Sequence, residues 1–136
     1  MIDPYYYRGD IIAVKNIKFK DNNFIDTRIN GHPILILNQV NTLDDDLYAL
    51  KISGSYSNID GLKKYYILKP NGQNKLRKAS YIDLRYVYKL PNQNITCYNK
   101  CVSEKQYNEI ITKLKEVQEG LEDEDYKLFK EEWLNN

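Results

Sequence analysis

The segment Ser103-Glu-Lys-Gln-Tyr-Asn-Glu-Ile-Ile-Thr-Lys-Leu-Lys-Glu-Val117 decides the class of fold, because here the hydrophobic period changes from that of strands to that of a helix. Ser103 followed three residues later by Gln106 is a capping-box start: the hydroxyl takes the Gln106 amide while the Gln side chain reaches back to the Ser amide. Tyr107, Ile110, Ile111, Leu114 and Val117 recur at spacings of three and four, which puts them on one face of a helix ending near Gly120. A second, acidic helix is expected from about Asp123 to Leu134, with Leu128, Phe129 and Trp133 as its apolar contacts and its carboxylates at the favourable N-terminal end.

Upstream, the pattern is a series of short apolar runs separated by turn residues, with no internal repeat. Ile11-Ile-Ala-Val14 follows Gly9-Asp10, Ile34-Leu-Ile-Leu37 follows Gly31-His32-Pro33, and Leu47-Tyr-Ala-Leu-Lys-Ile52 follows three aspartates. Tyr65-Tyr-Ile-Leu68 is closed by Pro70-Asn-Gly72, a turn sequence with glycine available for a positive φ. Ser80-Tyr-Ile-Asp-Leu-Arg-Tyr-Val-Tyr-Lys-Leu90 reads as one strand or as two joined at a bend, and Pro91 ends it. Many short strands followed by helix imply a mainly β fold with C-terminal helices (α+β), a small curled sheet or barrel closed on one side. Residues 1–120 form the barrel domain with its helix, and residues 121–136 an acidic helical extension.

The chain has 136 residues, 42% of them apolar and 29% charged, which suits one ordinary domain. Its net charge of +1 hides a split: residues 1–100 carry 15 basic and 9 acidic side chains, residues 101–136 carry 5 and 10. No run approaches the roughly 18 apolar residues of a membrane span, and the N-terminus lacks the pattern of a signal peptide, so a cytoplasmic protein without membrane contact is expected. Cys97 and Cys101 are too few for a disulfide framework, and with one histidine a four-ligand zinc site is hard to assemble. No metal or other cofactor is expected.

Four segments, in order, resemble the MazF/PemK/Kid family of toxin endoribonucleases. Arg8-Gly-Asp-Ile-Ile-Ala-Val14 is similar to the family's opening strand, His32-Pro-Ile-Leu-Ile-Leu-Asn38 to its Arg-Pro-Val-Leu-Val-Ile strand, and Tyr48-Ala-Leu-Lys-Ile-Ser53 to the strand that ends in Thr or Ser. Lys78-Ala-Ser-Tyr-Ile-Asp-Leu-Arg-Tyr-Val-Tyr-Lys89 resembles the Ser-x-x-x-Leu segment, and the capped helix follows. The resemblance spans roughly residues 6–118. It implies an SH3-like β-barrel closed by a C-terminal helix, a homodimer, a cognate antitoxin of protein or RNA, and metal-independent cleavage of single-stranded RNA to 2′,3′-cyclic phosphate and 5′-hydroxyl ends. The alternatives are a catalytically silent barrel that binds RNA or a protein partner, and a toxin of the ToxN/AbiQ type inhibited by RNA.

Such cleavage needs a base for the ribose 2′-hydroxyl, an acid for the leaving oxygen and positive charge near the phosphorane. By resemblance the family's catalytic arginine falls on His32 and its catalytic Thr or Ser on Ser53. The first is a departure, since arginine clamps a phosphate bidentately whereas histidine titrates near neutrality. The phosphate anchor would then pass to a neighbour, Arg28 or the lysines of 63 to 78. The other readings are a His32 that packs or hydrogen-bonds before a strand and a Ser53 that ends one.

Residues 51–90 hold nine basic side chains against Asp60 and Asp83, with tyrosines among them. Basic groups attract phosphates and aromatic faces stack on unpaired bases, so Lys51, Lys63, Lys64, Arg77, Lys78 and Arg85 are candidate RNA contacts. A solvated basic face and structural tyrosines are the plainer alternative. The polar loop from Lys15 to Gly31, centred on Asp21-Asn-Asn23, matches by resemblance the loop that covers the RNA groove; a plain hairpin is the other reading. The acidic end, residues 121–136, either is a solvated terminal helix packed on the barrel or mimics phosphate and covers the basic face of the same or a partner subunit.

Overall fold

Near-continuous apolar runs along the central strands give a sheet that is buried on both faces, because successive side chains point to opposite sides. The computed structural model describes residues 6–27, 29–42, 44–54, 63–91 and 95–134, with side chains except at 95–99. Arg28 therefore lies outside the described residues, as does the Cys97 side chain; Cys101 is a free thiol. The elements are β1 (Asp10–Val14), β2 (Ile17–Lys18), β3 (Ile25–Asp26), β4 (His32–Ile36), β5 (Leu47–Ser53), β6 (Tyr65–Leu68), β7 (Ser80–Asp83), β8 (Tyr88–Leu90), β9 (Ile95–Cys101), α1 (Glu104–Gln118) and α2 (Glu124–Phe129), followed by a π-type turn (Lys130–Leu134).

The main sheet runs β6-β7-β5-β4-β1-β9, and β8 pairs with β5 beside β7; each described pairing is antiparallel. The strand expected over Ser80 to Leu90 is thus two, and the bend between them lets β5 pair with β8 through Leu47–Ala49 and with β7 through Ile52 and Ser53. One sheet face carries Ile11, Leu35, Tyr48, Leu50 and Ile52, covered by Tyr107, Ile110, Ile111 and Leu114 of α1. The other carries Ile12, Val14, Ile34, Ile36, Leu47 and Ala49, covered by Ile17, Phe19, Tyr6 and Tyr88. This is a mainly β half-barrel with C-terminal helices packed against it, as an SH3-like barrel closed by helices requires.

The capping box at Ser103 and Gln106 forms with both reciprocal bonds. The acidic extension is part of the main core: Tyr126 and Phe129 are buried in the α1-side cluster, whereas Leu128 and Trp133, expected as contacts, stand exposed. The reason is the short α2 register, in which positions 126 and 129, three apart, face the sheet. Gln118 fixes the junction, its amide donating to the Leu84 and Arg85 carbonyls at 2.8 and 2.9 Å while its carbonyl accepts from Asp123 N at 2.9 Å. The turn after β6 is not organised by a positive φ at Gly72; buried Asn74 accepts from the amides of Asn71 and Leu76 and donates to the Lys69 carbonyl.

Candidate functional site

The candidate site forms where β5 ends. Lys51 and Ser53 follow Leu47 and Ala49 at alternate positions, so they continue the face that the β2–β3 hairpin covers. His32 lies on that face too, preceding Ile34 and Ile36 on β4. Ile34 pairs with Lys51, and the same register continued by two residues sets His32 across from Ser53.

His32 is 8% exposed, and both ring nitrogens have partners. Nε2 lies 2.8 Å from the Ile52 carbonyl oxygen, which can only accept, so Nε2 carries a proton. Nδ1 lies 3.0 Å from Oδ2 of Asp26, itself buried, and one further proton is held between those two atoms. The Phe19 ring meets the imidazole edge-on at 4.7 Å between centroids. The ring ties β3 to the end of β5 and does not present a free lone pair to a substrate.

Gly31, just before His32, has φ +76°, and a Cβ there would come within 3.0 Å of the Val14 carbonyl oxygen. This left-handed turn delivers the imidazole beneath the hairpin. The hairpin has few glycines because Asn16 and Asn23, both at φ 59°, take the left-handed positions.

Three cations lie on or near the end of β5. The Lys51 ammonium sits 4.0 Å above the Phe19 ring and 3.6 Å from Asp21 Oδ2. Arg85 holds Asp83 through two parallel bonds of 3.0 and 2.8 Å and reaches Asp21 at 3.5 Å, with its guanidinium over the Tyr65 and Tyr86 rings. The Asp83 bonds raise the Arg85 pKa against the opposing effect of burial, so the group is a permanent cation. The Lys78 side chain lies over Gly54: a Cβ on that glycine would be 3.2 Å from Lys78 Cε. Lys63, Lys64 and Arg77 stand exposed on the turns that flank β6 and precede β7.

Sequence reading did not single out Asp26, Phe19 or Lys20, and took Asp21 only as part of the turn at the centre of the loop. Their signal was the pair Ile17 and Ile25 flanking the Asp21-Asn-Asn23 turn, which encodes a hairpin too short for period counting. Among the described residues no group of three or more His, Cys, Asp or Glu side chains is placed to hold a metal ion, and no helix is long and apolar enough to cross a membrane.

No protein-family model and no curated protein matches the sequence. A solved structure described as an endoribonuclease from Mycobacterial species is similar, with a TM-score of 0.55 at 16% identity, over 82% of this chain and 89% of that one. At that identity the likeness establishes a shared fold, and it is the general fold to which the sequence resemblance pointed.

Proposed function

We propose that this chain is an endoribonuclease of toxin type that cleaves single-stranded RNA without a metal. The ribose 2′-hydroxyl attacks phosphorus, its proton passes to a base, the P–O5′ bond breaks, and the 5′-oxygen takes up a proton, leaving a 2′,3′-cyclic phosphate and a 5′-hydroxyl. The observation that carries the reading is that Lys51 and Ser53 share one face at the end of β5, with Arg85 joined to Lys51 through Asp21 and Lys78 beside the neighbouring Gly54, on a fold shared with an endoribonuclease.

In this reading Ser53 hydrogen-bonds the reacting phosphate, and Lys51, Lys78 and Arg85 supply positive charge to the phosphorane, the largest contribution in such sites. Lys63, Lys64 and Arg77, with Arg28, guide the flanking strand. His32 acts as a positioning residue: through the Ile52 carbonyl it holds the strand end on which Ser53 sits. The homodimer and the cognate antitoxin, protein or RNA, belong to the same proposal.

The engagement of both His32 nitrogens favours one competing reading, a barrel that binds RNA without cutting it. Incubation with a long unstructured RNA in the presence of chelator separates the two. Discrete fragments with cyclic phosphate ends, lost in Ser53→Ala and Lys78→Met, support the enzyme. RNA that is bound but intact supports the binding module, and RNA neither bound nor cut refutes both.

A further inference from the structure

The adjacent residues Lys20 and Asp21, at the tip of the β2–β3 hairpin, pair in opposite directions. Lys20 Nζ is held at 3.1 Å by Asp123, at 2.8 Å by Asp125 and at 2.6 Å by the Val87 carbonyl, while its backbone amide donates to the Tyr88 hydroxyl at 3.0 Å. Asp21 turns the other way, its Oδ2 3.6 Å from Lys51 and 3.5 Å from Arg85. The carboxylates of the C-terminal segment thus grip the hairpin, and a hairpin carboxylate bridges two of the cations of the candidate site.

We propose that the hairpin tip is a self-occluding lid, in which Asp21 occupies the place of a substrate phosphodiester between Lys51 and Arg85, and the Lys20 clasp to Asp123 and Asp125 holds it there. This inference rests on the ribonucleolytic reading and deepens it. A carboxylate and a phosphate offer the same cations similar acceptor oxygens, so one displaces the other. The exchange moves residues 20 to 24 and breaks the backbone bonds from Phe19 N to the Phe24 carbonyl and from Asn23 N to the Phe19 carbonyl. Phe19 stays buried, whereas Asn22, Asn23 and Phe24 are exposed, and the hairpin itself has two paired positions. Asp123 and Asp125 face Lys20 in this arrangement, and they set how readily the lid opens.

The charge change makes the test directional. Lys20→Met removes a cation from the RNA-facing side, so simple electrostatics predicts weaker binding, whereas release of the lid predicts tighter binding. The probe is a short fluorescein-labelled single-stranded RNA with 2′-O-methyl riboses, which the enzyme cannot consume, and affinity is read by anisotropy at low salt. Lys20→Met and Asp21→Asn should each tighten binding by roughly threefold to tenfold, as expected for loss of partly exposed ion pairs. The Asn23 amide, which donates to the Phe19 carbonyl, should exchange faster in both.

Lys18→Met, the same charge change at an exposed position, is the control, and Lys20→Arg should keep the wild-type affinity. Melting curves establish that each variant is folded. If the wild-type chain cuts RNA and Lys20→Met binds no tighter than Lys18→Met, the lid is refuted and the ribonucleolytic reading survives. If neither the wild type nor Asp21→Asn binds the probe, both fall together.

Discussion

His32→Ala removes three interactions from one buried site. It loses the bond to the Asp26 carboxyl at 3.0 Å, the bond to the Ile52 carbonyl at 2.8 Å and the edge contact with Phe19 at 4.7 Å. A hydrogen bond to a charged group contributes about 1.5–3 kcal/mol, a neutral one about 1 kcal/mol, and an aromatic edge contact about 0.5–1.5 kcal/mol. The expected loss is about 3–5 kcal/mol, in line with the cost of breaking other buried pairs and large beside a domain stability of roughly 5–15 kcal/mol. Asp26→Asn keeps a hydrogen-bond partner for Nδ1 and should cost about 1–2 kcal/mol.

Urea unfolding of wild type, both single variants and the double variant measures the coupling, expected at about 1.5–3 kcal/mol with the slope against denaturant unchanged. Additivity to within about 0.5 kcal/mol would refute the tie. It would also mean that the ring stands open in solution, as a proton carrier must, and would return His32 to the chemistry itself.

Three further outcomes test the frame around the site. Phe129→Ala, at a side chain with no exposure whose ring lies 5.6 Å from that of Tyr48, should cost about 3–5 kcal/mol in the same assay, and a loss below about 1 kcal/mol would detach the C-terminal segment from the core. Gly31→Ala should lower stability by about 1–3 kcal/mol, because it imposes both the left-handed conformation and contacts of 3.0 Å to the Val14 carbonyl and 3.1 Å to the Ala13 side chain; a melting temperature equal to wild type would refute this. Burial pushes the Tyr107 hydroxyl up from 10.0 to about 12, against a smaller lowering by Arg8. A raised folded-state pKa means that this stabilisation is complete below pH 10 and is lost as pH rises through about 12. Tyr107→Phe, which leaves the Leu37 carbonyl without the 2.6 Å donor, should cost about 1 kcal/mol at neutral pH and show a shallower alkaline decline; parallel declines would overturn the assignment.

Elements with a clear period were legible in the sequence. The runs at 11–14, 34–37, 47–52 and 65–68 became β1, β4, β5 and β6 with small shifts at their ends, and the capped helix began where Ser103 and Gln106 placed it. The β2–β3 hairpin was legible only as one of two readings of the polar loop from Lys15 to Gly31, because two residues per strand carry no alternation to count and its left-handed positions are asparagines. Strand β9 was missed for a different reason: Ile95-Thr-Cys-Tyr-Asn-Lys-Cys101 is half polar and has no apolar run, so its pairing with β1 comes from the sheet edge and not from propensity. Phe129 was identified as an apolar contact of α2, but Tyr126 was not, since a six-residue helix gives too few turns to define a face.

The site shows the same limit in sharper form. The resemblance implies an arginine where this chain has His32, and substitution at one position cannot reveal which neighbours then satisfy the new side chain. An arginine presents five donors and remains a cation wherever it points. An imidazole has two nitrogens at fixed angles, and a buried one is stable only when both find partners. Here those partners are Asp26, six residues back on a hairpin whose two-residue strands carry no period to count, and the Ile52 carbonyl, beside Ser53. The same hairpin that holds the histidine inward carries Asp21 over Lys51 and Arg85. The inward hold on His32 and the covering of Lys51 and Arg85 therefore come from one element, the β2–β3 hairpin. A chain that binds RNA through this face has to do so with Lys51, Lys78 and Arg85, after the hairpin tip has moved.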